Sequence, residues 1–417
     1  MTTLSEELTW RGMVNQMTFA NITDLDKETR TFYWGVDPSA NSMTIGNLAA
    51  AMVVRQFMAH GYKAILLVGG ATGLIGDPDG KKQERDLKTR DLVAANVQGI
   101  SAQYARIFDG MEFEIVDNYD WFKELGYLDF LRDVGKYVSL TQMLDRDFVK
   151  DRIGEGGAGI SYAEFSYSLI QGYDFLYLFR EKHATLQVAG ADQWGNSIAG
   201  AQLIRRLESA ESHVFTTPLV INKQTGVKFG KSEGGAVWLD PAKTSPYKFY
   251  QFWLNVDDET AEDLVKIYTL LDKETVEGLI ARHRENQGMR ILQKALAREV
   301  TKLVHGESRL KSVERVTAVL FSGENISTLS LDDLNALEQE IPTRHLVPTS
   351  MNGKDINPTS RVTEALVWAG VCKSLGEARK IIESGGVSVN GQKIGSDFTI
   401  TDISLVKKGK NSFVLVR

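Results

Sequence analysis

The chain has 417 residues, of which 43% are hydrophobic and 24% are charged, and its formal net charge is −6. This length exceeds that of one ordinary core and predicts two or three domains, while the net charge argues against a uniformly basic nucleic-acid binder. The single cysteine, Cys372, excludes an intramolecular disulfide framework and a Cys-rich zinc site, and no apolar run approaches the roughly 18 residues that a membrane helix needs.

The first half of the chain alternates helical patterns with short apolar runs. It starts with a surface-helix pattern at 4–16 and with neither a signal nor a transit peptide, so we expect a cytoplasmic protein. A β-type run at 31–36 is followed by a helix at 45–60, with Gly61 in the C′ position. Further strands are predicted at 64–68, 112–116, 185–188 and 219–222. This alternation indicates an α/β fold with a doubly wound, parallel, Rossmann-type sheet.

The second half is helical at first and then less regular. Helices are predicted at 248–254, 259–271, 273–284, 289–305 and 308–321. Around Pro342 and Pro348 regularity fades, which indicates a linker with a short helix at 331–338. We therefore expect a Rossmann-type catalytic domain at 1–222, a basic loop and α-helical domain at 223–323, a linker at 324–357 and a small α+β domain at 358–417.

The loop at 37–47 is a candidate phosphate site. It follows the first strand, and in a doubly wound sheet ligands bind beyond the carboxyl ends of the strands. The next helix begins near Thr44, and its free N–H groups and dipole favour phosphate. Small residues permit a ligand to approach the backbone closely. The alternative is an ordinary strand-to-helix loop. The small residues are Ser39, Ala40, Ser42 and Gly46.

The segment at 68–78 is rich in glycine but fits neither a Walker loop nor a dinucleotide fingerprint. Its Asp77 offers a carboxylate to a cation. Lys81 and Arg85 lie four residues apart, on one face if helical, and could meet phosphate. A tight loop with solvated basic side chains is the alternative.

A second basic loop, at 228–232, holds Lys228 and Lys231 around Gly230. The two lysines converge on a polyphosphate only if the loop folds over it, and such a loop would stabilise charge on a departing pyrophosphate. An ordinary basic surface loop is the alternative.

Polar residues share one face of the helix predicted around 170. Tyr167, Gln171 and Asp174 are spaced four and three apart, which aligns them on one side. A phenol, an amide and a carboxylate in a core each need a partner. They form either a binding site or a buried polar network that serves only the structure.

Together these segments resemble bacterial-type tyrosyl-tRNA synthetases, a family of class I aminoacyl-tRNA synthetases. The resemblance covers nearly the whole chain. It is carried by Gly-Gly-Ala-Thr-Gly-Leu-Ile-Gly-Asp-Pro at 69–78, by the residues at 165–174, by Asp-Gln-Trp-Gly-Asn at 192–196, by Lys-Phe-Gly-Lys-Ser at 228–232 and by the aromatic run at 244–253.

The resemblance implies a tyrosine pocket. Tyr33 and Asp174 would contact the phenolic hydroxyl of the substrate. A site built to pair a hydroxyl rejects phenylalanine because its own polar groups are left unsatisfied, a rule for which this enzyme class is itself a worked example. The α-ammonium would be held by Tyr167, Gln171 and Asp77, with Gln193 nearby.

It also implies the chemistry. The tyrosine carboxylate attacks the α-phosphorus of ATP in line, and the 3′-terminal ribose of tRNA(Tyr) then takes the tyrosyl group, by positioning and electrostatic stabilisation. Mg²⁺ travels on the ATP phosphates, with no dedicated protein metal site. ATP is expected at Asp37, Ser39, Gly46, Asn47, Asp192, Lys228, Lys231 and Ser232. Catalytic contacts are expected from Ser39, Thr44, Asn47, Lys81, Arg85, Lys228, Lys231 and Ser232.

The departures from the family pattern lie in the ATP site. Thr44 stands where the first signature begins with His, and Asn47 takes the place of its last His. A threonine hydroxyl is shorter than an imidazole and carries no charge. Thr44 would therefore reach phosphate through water or cap the helix instead. Trp34 stands where many relatives carry a small residue, and Ala50 removes a possible hydroxyl.

The end of the chain is basic. From Asn357 onward there are nine Lys/Arg and five Asp/Glu residues, a net charge of +4, which leaves −10 for the rest. Residues 378–391 run helix, glycine turn, strand and Asn-Gly turn, and they resemble a small RNA-binding module named after a ribosomal protein. The alternative is a solvated basic face. The expected tRNA contacts are Arg361, Lys373, Arg379 and Lys380.

The resemblance further implies a homodimer, with tRNA crossing between subunits. An apolar surface suited to this, or equally a core, is predicted from Tyr119, Trp121, Phe122, Phe130, Leu131, Val134 and Tyr137. Three rival functions remain: a tryptophan-activating enzyme, a nucleotidylyltransferase of the same superfamily, and an RNA-binding regulator on an inactive synthetase scaffold. Tyr33, Asp174 and the RNA-binding tail argue against the first, and the second does not need the helical domain or the tail. The basic loop and the tyrosine pocket argue against the third, which Thr44 alone favours.

Overall fold

The computed structural model describes residues 2–78, 86–222, 226, 229–232, 235–346, 349–351, 354–356 and 360–417. The chain divides into two compact units, Met1–Val304 and His305–Arg417. The finer division into four segments stays a prediction. None of the helices in these ranges is long and apolar enough to cross a membrane.

The first unit is built on a parallel sheet of five strands, in the order β3-β2-β1-β4-β5. This confirms the α/β, doubly wound, Rossmann-type prediction. The strand order reverses between β1 and its neighbours β2 and β4, so a crevice is expected at their carboxyl ends. The strands are β1 (Thr31–Val36), β2 (Lys63–Val68), β3 (Phe113–Asp117), β4 (Ala184–Gly190) and β5 (His213–Thr217).

The predicted strand at 219–222 is wrong. The fifth strand lies earlier, at β5, where all five residues are buried and Leu186 of β4 pairs with His213. Pro218 follows it directly, and proline supplies no N–H to a sheet ladder. The apolar residues after Pro218 line a cavity instead of extending the sheet.

Fourteen helices surround this sheet or follow it within the described ranges up to residue 305. The first ends at Trp10, earlier than predicted, whereas Gly61 follows the second with a φ of 85°, as predicted. They are α1 (Leu4–Trp10), α2 (Ile45–Ala59), α3 (Thr72–Ile75), α4 (Arg90–Ile107), α5 (Tyr119–Phe122), α6 (Tyr127–Asp133), α7 (Leu140–Leu144), α8 (Asp147–Ile153), α9 (Tyr162–Lys182), α10 (Trp194–Glu208), α11 (Pro246–Leu254), α12 (Asp258–Tyr268), α13 (Lys273–Glu285) and α14 (Ile291–His305). A two-residue hairpin, β6 (Lys231–Ser232) with β7 (Gly235–Ala236), precedes α11.

Alternation along β1 decides which side chains reach the site. Tyr33 packs against Phe175 of α9, with ring centroids 5.2 Å apart. Its neighbours face the opposite way, because successive side chains of a strand alternate between faces. Phe32 contacts Phe57 of α2, and Trp34 contacts Tyr104 of α4, each at 5.4 Å. One face of β1 therefore meets α9, and the other meets α2 and α4.

The second unit combines helices with a mixed sheet in the order β13-β12-β15-β16-β8. The predicted helix at 331–338 is confirmed, and so is the Asn-Gly turn, where Asn390 and Gly391 both have positive φ. A π-helical turn at Ala318–Ser322 follows the first helix. The elements are α15 (Glu307–Thr317), α16 (Leu331–Glu338), β8 (Thr343–Arg344), β9 (Thr349–Met351), β10 (Lys354–Ile356), β11 (Ser360–Arg361), α17 (Val362–Trp368), α18 (Leu375–Glu383), β12 (Val387–Val389), β13 (Gln392–Lys393), β14 (Thr399–Ile400), β15 (Ser404–Lys408) and β16 (Ser412–Val416).

Candidate active site

A cavity of about 380 Å³ opens where β1 and β4 end. This is the switch point of the sheet, as the fold predicts. Most of the residues predicted to bind tyrosine or ATP, or to act in catalysis, line it. Those that do are Tyr33, Asp37, Ser39, Thr44, Gly46, Asn47, Asp77, Tyr167, Gln171, Asp174, Asp192 and Gln193.

One part of the cavity is organised around Asp174, which is 2% exposed. Its Oδ1 accepts a hydrogen bond from Trp121 Nε1 at 3.0 Å, and its Oδ2 accepts one from Asn118 Nδ2 at 3.1 Å. Burial raises the pKa of Asp174 well above its usual range, and these two hydrogen bonds oppose that rise. The carboxylate is thus held in a fixed orientation in a dry environment.

The Tyr33 hydroxyl is buried and has no hydrogen-bond partner among the described residues. Burial, and then the charge of Asp174, raise the pKa of this phenol well above its usual value. It therefore stays protonated and available as a donor. A buried hydroxyl without a partner costs free energy, so this atom is suited to a ligand that supplies one.

Side chains of α9 and of the segment just before α10 contact acidic residues of two loops at the carboxyl edge of the sheet. Tyr167 donates its hydroxyl to Asp37 Oδ2 at 2.7 Å, and burial raises the pKa of Tyr167, as does the charge of Asp37. Gln193 Nε2 donates to Asp77 Oδ2 at 2.7 Å. Asn196 Nδ2 supports Gln193 by donating to its Oε1 at 3.0 Å. Of the residues predicted around the substrate ammonium, Gln193 thus contacts Asp77, whereas Tyr167 contacts Asp37, a residue predicted to bind ATP.

Thr44 is the N-cap residue of α2. Its backbone N–H and its hydroxyl both donate to Asn47 Oδ1, each at 3.0 Å. The two departures from the family signature therefore contact each other. The sequence allows Thr44 either to contact phosphate through water or to cap the helix, and the contact with Asn47 supports the cap.

The second basic loop is described only in part. Lys228, Lys81 and Arg85 lie outside the described residues, and so do the side chains of Lys231 and Ser232. The backbone of Lys231 pairs with Ala236 in the hairpin. Next to the hairpin, Val237 accepts a hydrogen bond from the N–H of Ile45 at 3.1 Å, which fixes this segment against the start of α2.

Gln187 is a candidate site residue that the sequence reasoning missed. It lies opposite Tyr33 in the β1–β4 register and lines the cavity. It is 3% exposed, and its Oε1 has no partner in the part of the chain that is described. The signal was an amide between Leu186 and Val188 in a strand that is mostly apolar. Thr72, Asn118 and Trp121, which hold the acidic side chains, were missed as well.

Another acidic side chain is hydrogen-bonded to the glycine-rich loop. Asp117 at the end of β3 is half-buried, and burial raises its pKa. Its Oδ1 accepts the N–H of Gly70 at 3.1 Å and of Tyr119 at 2.8 Å. Within the described ranges, no cluster of three or more His, Cys, Asp or Glu side chains is placed to hold a metal ion.

The predicted tRNA contacts lie in the second unit. Arg361 Nε donates to Asp397 Oδ2 at 2.8 Å, so this guanidinium is tied to its own unit. The side chains of Lys373, Arg379 and Lys380 are exposed on or beside α18. All four predicted basic residues are thus exposed, and Arg361 is in addition ion-paired with Asp397.

Comparison with known proteins decides the family. The model of the class I tRNA synthetases for tryptophan and tyrosine matches residues 25–322. The chain belongs to this synthetase family. A second family, the SYY-like C-terminal domain of tyrosine–tRNA ligase, matches residues 345–417 of this synthetase.

Individual relatives of this synthetase agree along its whole length. It is 43% identical to a tyrosine–tRNA ligase of Bacteroides fragilis over 432 aligned positions, which cover 99% of the chain and 98% of the relative. It is 43% identical to one of Flavobacterium johnsoniae, covering 100% and 97%. A C-terminally truncated mitochondrial tyrosyl-tRNA synthetase of Aspergillus nidulans superposes with a TM-score of 0.69 at 27% identity, covering 77% of this chain and 95% of that one.

Proposed function

We propose that the protein is a tyrosine–tRNA ligase. It activates L-tyrosine with ATP to tyrosyl-adenylate and pyrophosphate, and then transfers the tyrosyl group to the 3′-terminal adenosine of tRNA(Tyr). The observation that carries the choice of amino acid is the buried, unpartnered hydroxyl of Tyr33 beside the buried carboxylate of Asp174. Full-length relatives named tyrosine–tRNA ligase support the same choice.

The phenol of the substrate is selected by these two groups. Asp174 accepts a hydrogen bond from the substrate hydroxyl, and Tyr33 donates one to its oxygen. Phenylalanine lacks that hydroxyl and leaves both protein groups buried without a partner, which penalises its binding. Asn118 and Trp121 keep the Asp174 oxygens oriented for this contact.

The ammonium of the substrate is bound by acceptors at the α9 face. Asp77 supplies a carboxylate whose orientation is set by Gln193. Tyr167 and Gln171 supply a phenol and an amide, and Gln171 Oε1 is buried without a partner among the described residues. An ammonium group has three N–H donors and no acceptor, so this acceptor-rich set fits it.

Adenylate formation requires positioning and charge stabilisation. A carboxylate oxygen of tyrosine attacks the α-phosphorus of ATP, the bond to the bridging oxygen breaks, and pyrophosphate leaves with the electron pair. ATP, with Mg²⁺ on its phosphates, lies along Asp37, Ser39, Gly46, Asn47 and Asp192. The N-terminus of α2 and the basic residues stabilise the negative charge on the departing pyrophosphate. The basic residues are Lys81, Arg85, Lys228 and Lys231, and Ser232 follows Lys231 in the sequence.

The second step uses the second unit to hold tRNA. The 3′-terminal ribose hydroxyl attacks the acyl carbon of the adenylate, and AMP leaves. Exposed Lys373, Arg379 and Lys380 contact phosphates, which position the RNA without reading its sequence. Because charged tRNA supplies ribosomes, we place the protein in the cytoplasm.

Pyrophosphate exchange into ATP tests the proposal. The purified full-length protein is assayed with tyrosine, phenylalanine and tryptophan in turn. Exchange that depends on tyrosine is the expected result. Exchange with tryptophan alone identifies the sister enzyme, exchange without any amino acid identifies a nucleotidylyltransferase, and no exchange identifies an inactive scaffold.

We also propose a homodimer. Two residues of the predicted apolar surface, Trp121 and Val134, are buried within the monomer and belong to its core. Other apolar side chains between residues 127 and 162 of the first unit are exposed, and the outer strand β3 exposes Ile115. Such a patch is typical of a protein interface. The exposed side chains are Tyr127, Leu128, Tyr137, Leu140, Ile153 and Tyr162.

Sedimentation velocity tests the dimer. The wild type should sediment at twice the chain mass of 46.4 kDa. Leu128→Asp places a charge in the patch and should shift the protein towards the monomer. Leu331→Asp, at an exposed position of the second unit, is the control and should stay dimeric. A wild type that sediments as a monomer contradicts the proposal.

A further inference from the structure

A continuous chain of hydrogen bonds joins two acidic residues of the cavity. Thr72 donates its hydroxyl to Asp37 Oδ1 at 2.6 Å. Asn118 Nδ2 donates to Thr72 Oγ1 at 3.1 Å and to Asp174 Oδ2, also at 3.1 Å. Thr72 and Asn118 are 2% and 0% exposed, so the middle of the chain is shielded from water. It runs from the residue proposed to face ATP to the residue proposed to read the phenol.

Each bond in the chain has a fixed direction. The Thr72 hydroxyl has one hydrogen, which it gives to Asp37, so it can only accept from Asn118. The Asn118 carboxamide has two N–H groups, which serve Thr72 and Asp174. Its Oδ1 accepts the backbone N–H of Ala71 at 2.6 Å, which excludes the flipped amide. A rotation of either side chain therefore breaks contacts at both ends.

The glycines of the loop leave room for this chain. A Cβ at Gly69 would lie 2.1 Å from Thr72 Oγ1 and 2.3 Å from Asp37 Oδ1. A side chain there would displace the bond between them. The backbone of Gly69 also accepts the N–H of Gly73 at 2.7 Å and so helps to form α3, on which Thr72 is the first residue. At Gly69 the glycine-rich loop thus leaves room for a bridge between two side chains.

We propose that Thr72 is a positioning residue that couples the phenol-reading end of the site to the nucleotide end through Asn118. This inference rests on the proposed tyrosine activation and deepens it. When the substrate hydroxyl binds to Asp174, it fixes the position of that carboxylate. Asn118 and Thr72, which are bonded to it in turn, then fix the position of Asp37. Correct amino acid and correct nucleotide placement then depend on the same hydroxyl.

The test is Thr72→Val, which keeps the shape of the side chain and removes the hydroxyl, compared with Thr72→Ser, which keeps the hydroxyl. Both are assayed in full-length protein by pyrophosphate exchange, with kcat and KM determined for tyrosine, phenylalanine and ATP. Thr72→Val should lower the preference for tyrosine over phenylalanine roughly tenfold and raise the KM for ATP, because hydrogen bonds to charged groups are weakened at both ends. Thr72→Ser should keep most of the wild-type preference for tyrosine and a KM for ATP close to that of the wild type.

A comparison in the Asn118→Ala background tests whether the coupling passes through Asn118. In Asn118→Ala, the effect of Thr72→Val on the tyrosine preference should vanish, whereas its effect on the ATP parameters should persist through Asp37. Thr269→Val is the control, because it removes another buried hydroxyl, one that donates to Val265 O at 2.6 Å. It should leave the tyrosine preference and the KM for ATP unchanged. The preference is a ratio, so a loss of folded protein does not move it.

The outcomes separate this inference from the proposed function. Wild-type exchange that does not require tyrosine overturns both. Tyrosine-dependent exchange in which Thr72→Val lowers only the total activity, with the preference and the ATP KM unchanged, overturns the coupling alone. An equal loss of preference in Thr72→Ser and Thr72→Val also contradicts it, since packing and not the hydroxyl would then be responsible.

Discussion

The Thr44 hydroxyl lies 3.0 Å from Asn47 Oδ1 and donates to it, so the two residues that depart from the family signature form one contact at the start of α2. This contact occupies the carboxamide oxygen of Asn47. Its Nδ2 group keeps two donors for a ligand in the cavity that Asn47 lines. We therefore propose that Thr44 caps α2 and that Asn47 donates to a phosphate of ATP.

We predict that Thr44→Ala lowers the free energy of unfolding by about 1 kcal/mol, the usual loss for an N-cap residue. Its kcat for pyrophosphate exchange should change by less than about threefold, because the hydroxyl faces Asn47. Urea denaturation and exchange assays measure the two quantities. Asn47→Ala should lose far more activity, and Thr44→His should be compared in the same assays. A large loss of kcat in Thr44→Ala would show that the hydroxyl acts on phosphate after all.

Tyr33→Phe should raise stability and reduce selectivity together. The substitution removes a buried hydroxyl that has no partner in the described residues, so the ligand-free protein should gain about 1 kcal/mol. The same loss removes a donor to the substrate phenol, so the kcat/KM ratio of tyrosine to phenylalanine should fall about tenfold. Thermal unfolding with and without tyrosine, together with exchange kinetics, measures both.

A control for Tyr33→Phe is Tyr268→Phe. Tyr268 is also buried, but its hydroxyl donates to Ile45 O at 3.0 Å. Its removal should therefore destabilise the protein. If Tyr33→Phe destabilises the free protein to the same degree, its hydroxyl has a partner and the ligand argument fails.

Asp333 should make the second unit sensitive to acid. Burial acts to raise its pKa, but hydrogen bonds from Arg315, Ser312 and the Ser330 backbone outweigh burial and hold the pKa well below its usual range. A carboxyl whose pKa is lower in the folded state contributes stability above its unfolded pKa and loses it as the pH falls through the folded value. Asp333→Asn should lose about 2 kcal/mol at pH 7, and the difference from wild type should shrink below about pH 4.

Urea denaturation of the full-length protein from about pH 3 to pH 7 measures this difference. The control is Asp332→Asn, an exposed neighbour in the first turn of α16. It should change stability by only a few tenths of a kcal/mol. A constant difference between Asp333→Asn and wild type across the whole range would contradict an ionised, hydrogen-bonded Asp333.

The basic residues of α18 should affect tRNA and not adenylate formation. Reversing Lys373, Arg379 and Lys380 to Glu should leave pyrophosphate exchange unchanged and weaken tRNA charging. The slope of tRNA affinity against salt should fall by about three, one for each lost phosphate contact. Filter binding at several salt concentrations measures it. Reversal of Lys27, Lys63 and Lys273, which are exposed in the first unit, is the control. Unchanged charging in the α18 variant would remove this face from the tRNA site.

Local patterns in the sequence were sufficient for much of the fold. The run at 31–36 and the helix at 331–338 have the predicted bounds, because alternation, capping residues and glycine positions act over a few residues. The error at 219–222 arose because an apolar run does not show whether an adjacent strand has free backbone groups with which it can form hydrogen bonds. Pro218 was the local sign that the strand had already ended.

The sequence by itself determined which residue types the site contains and which of them share a helix face. The spacing of Tyr167, Gln171 and Asp174 predicts their common side of α9 because the helical period is fixed. Only the tertiary structure decided which polar groups meet. Tyr167 contacts Asp37 from 130 positions away, and Asn118 joins Thr72 to Asp174. Such pairs depend on the strand order β3-β2-β1-β4-β5, which brings distant loops to one edge of the sheet and leaves no periodic trace in the chain.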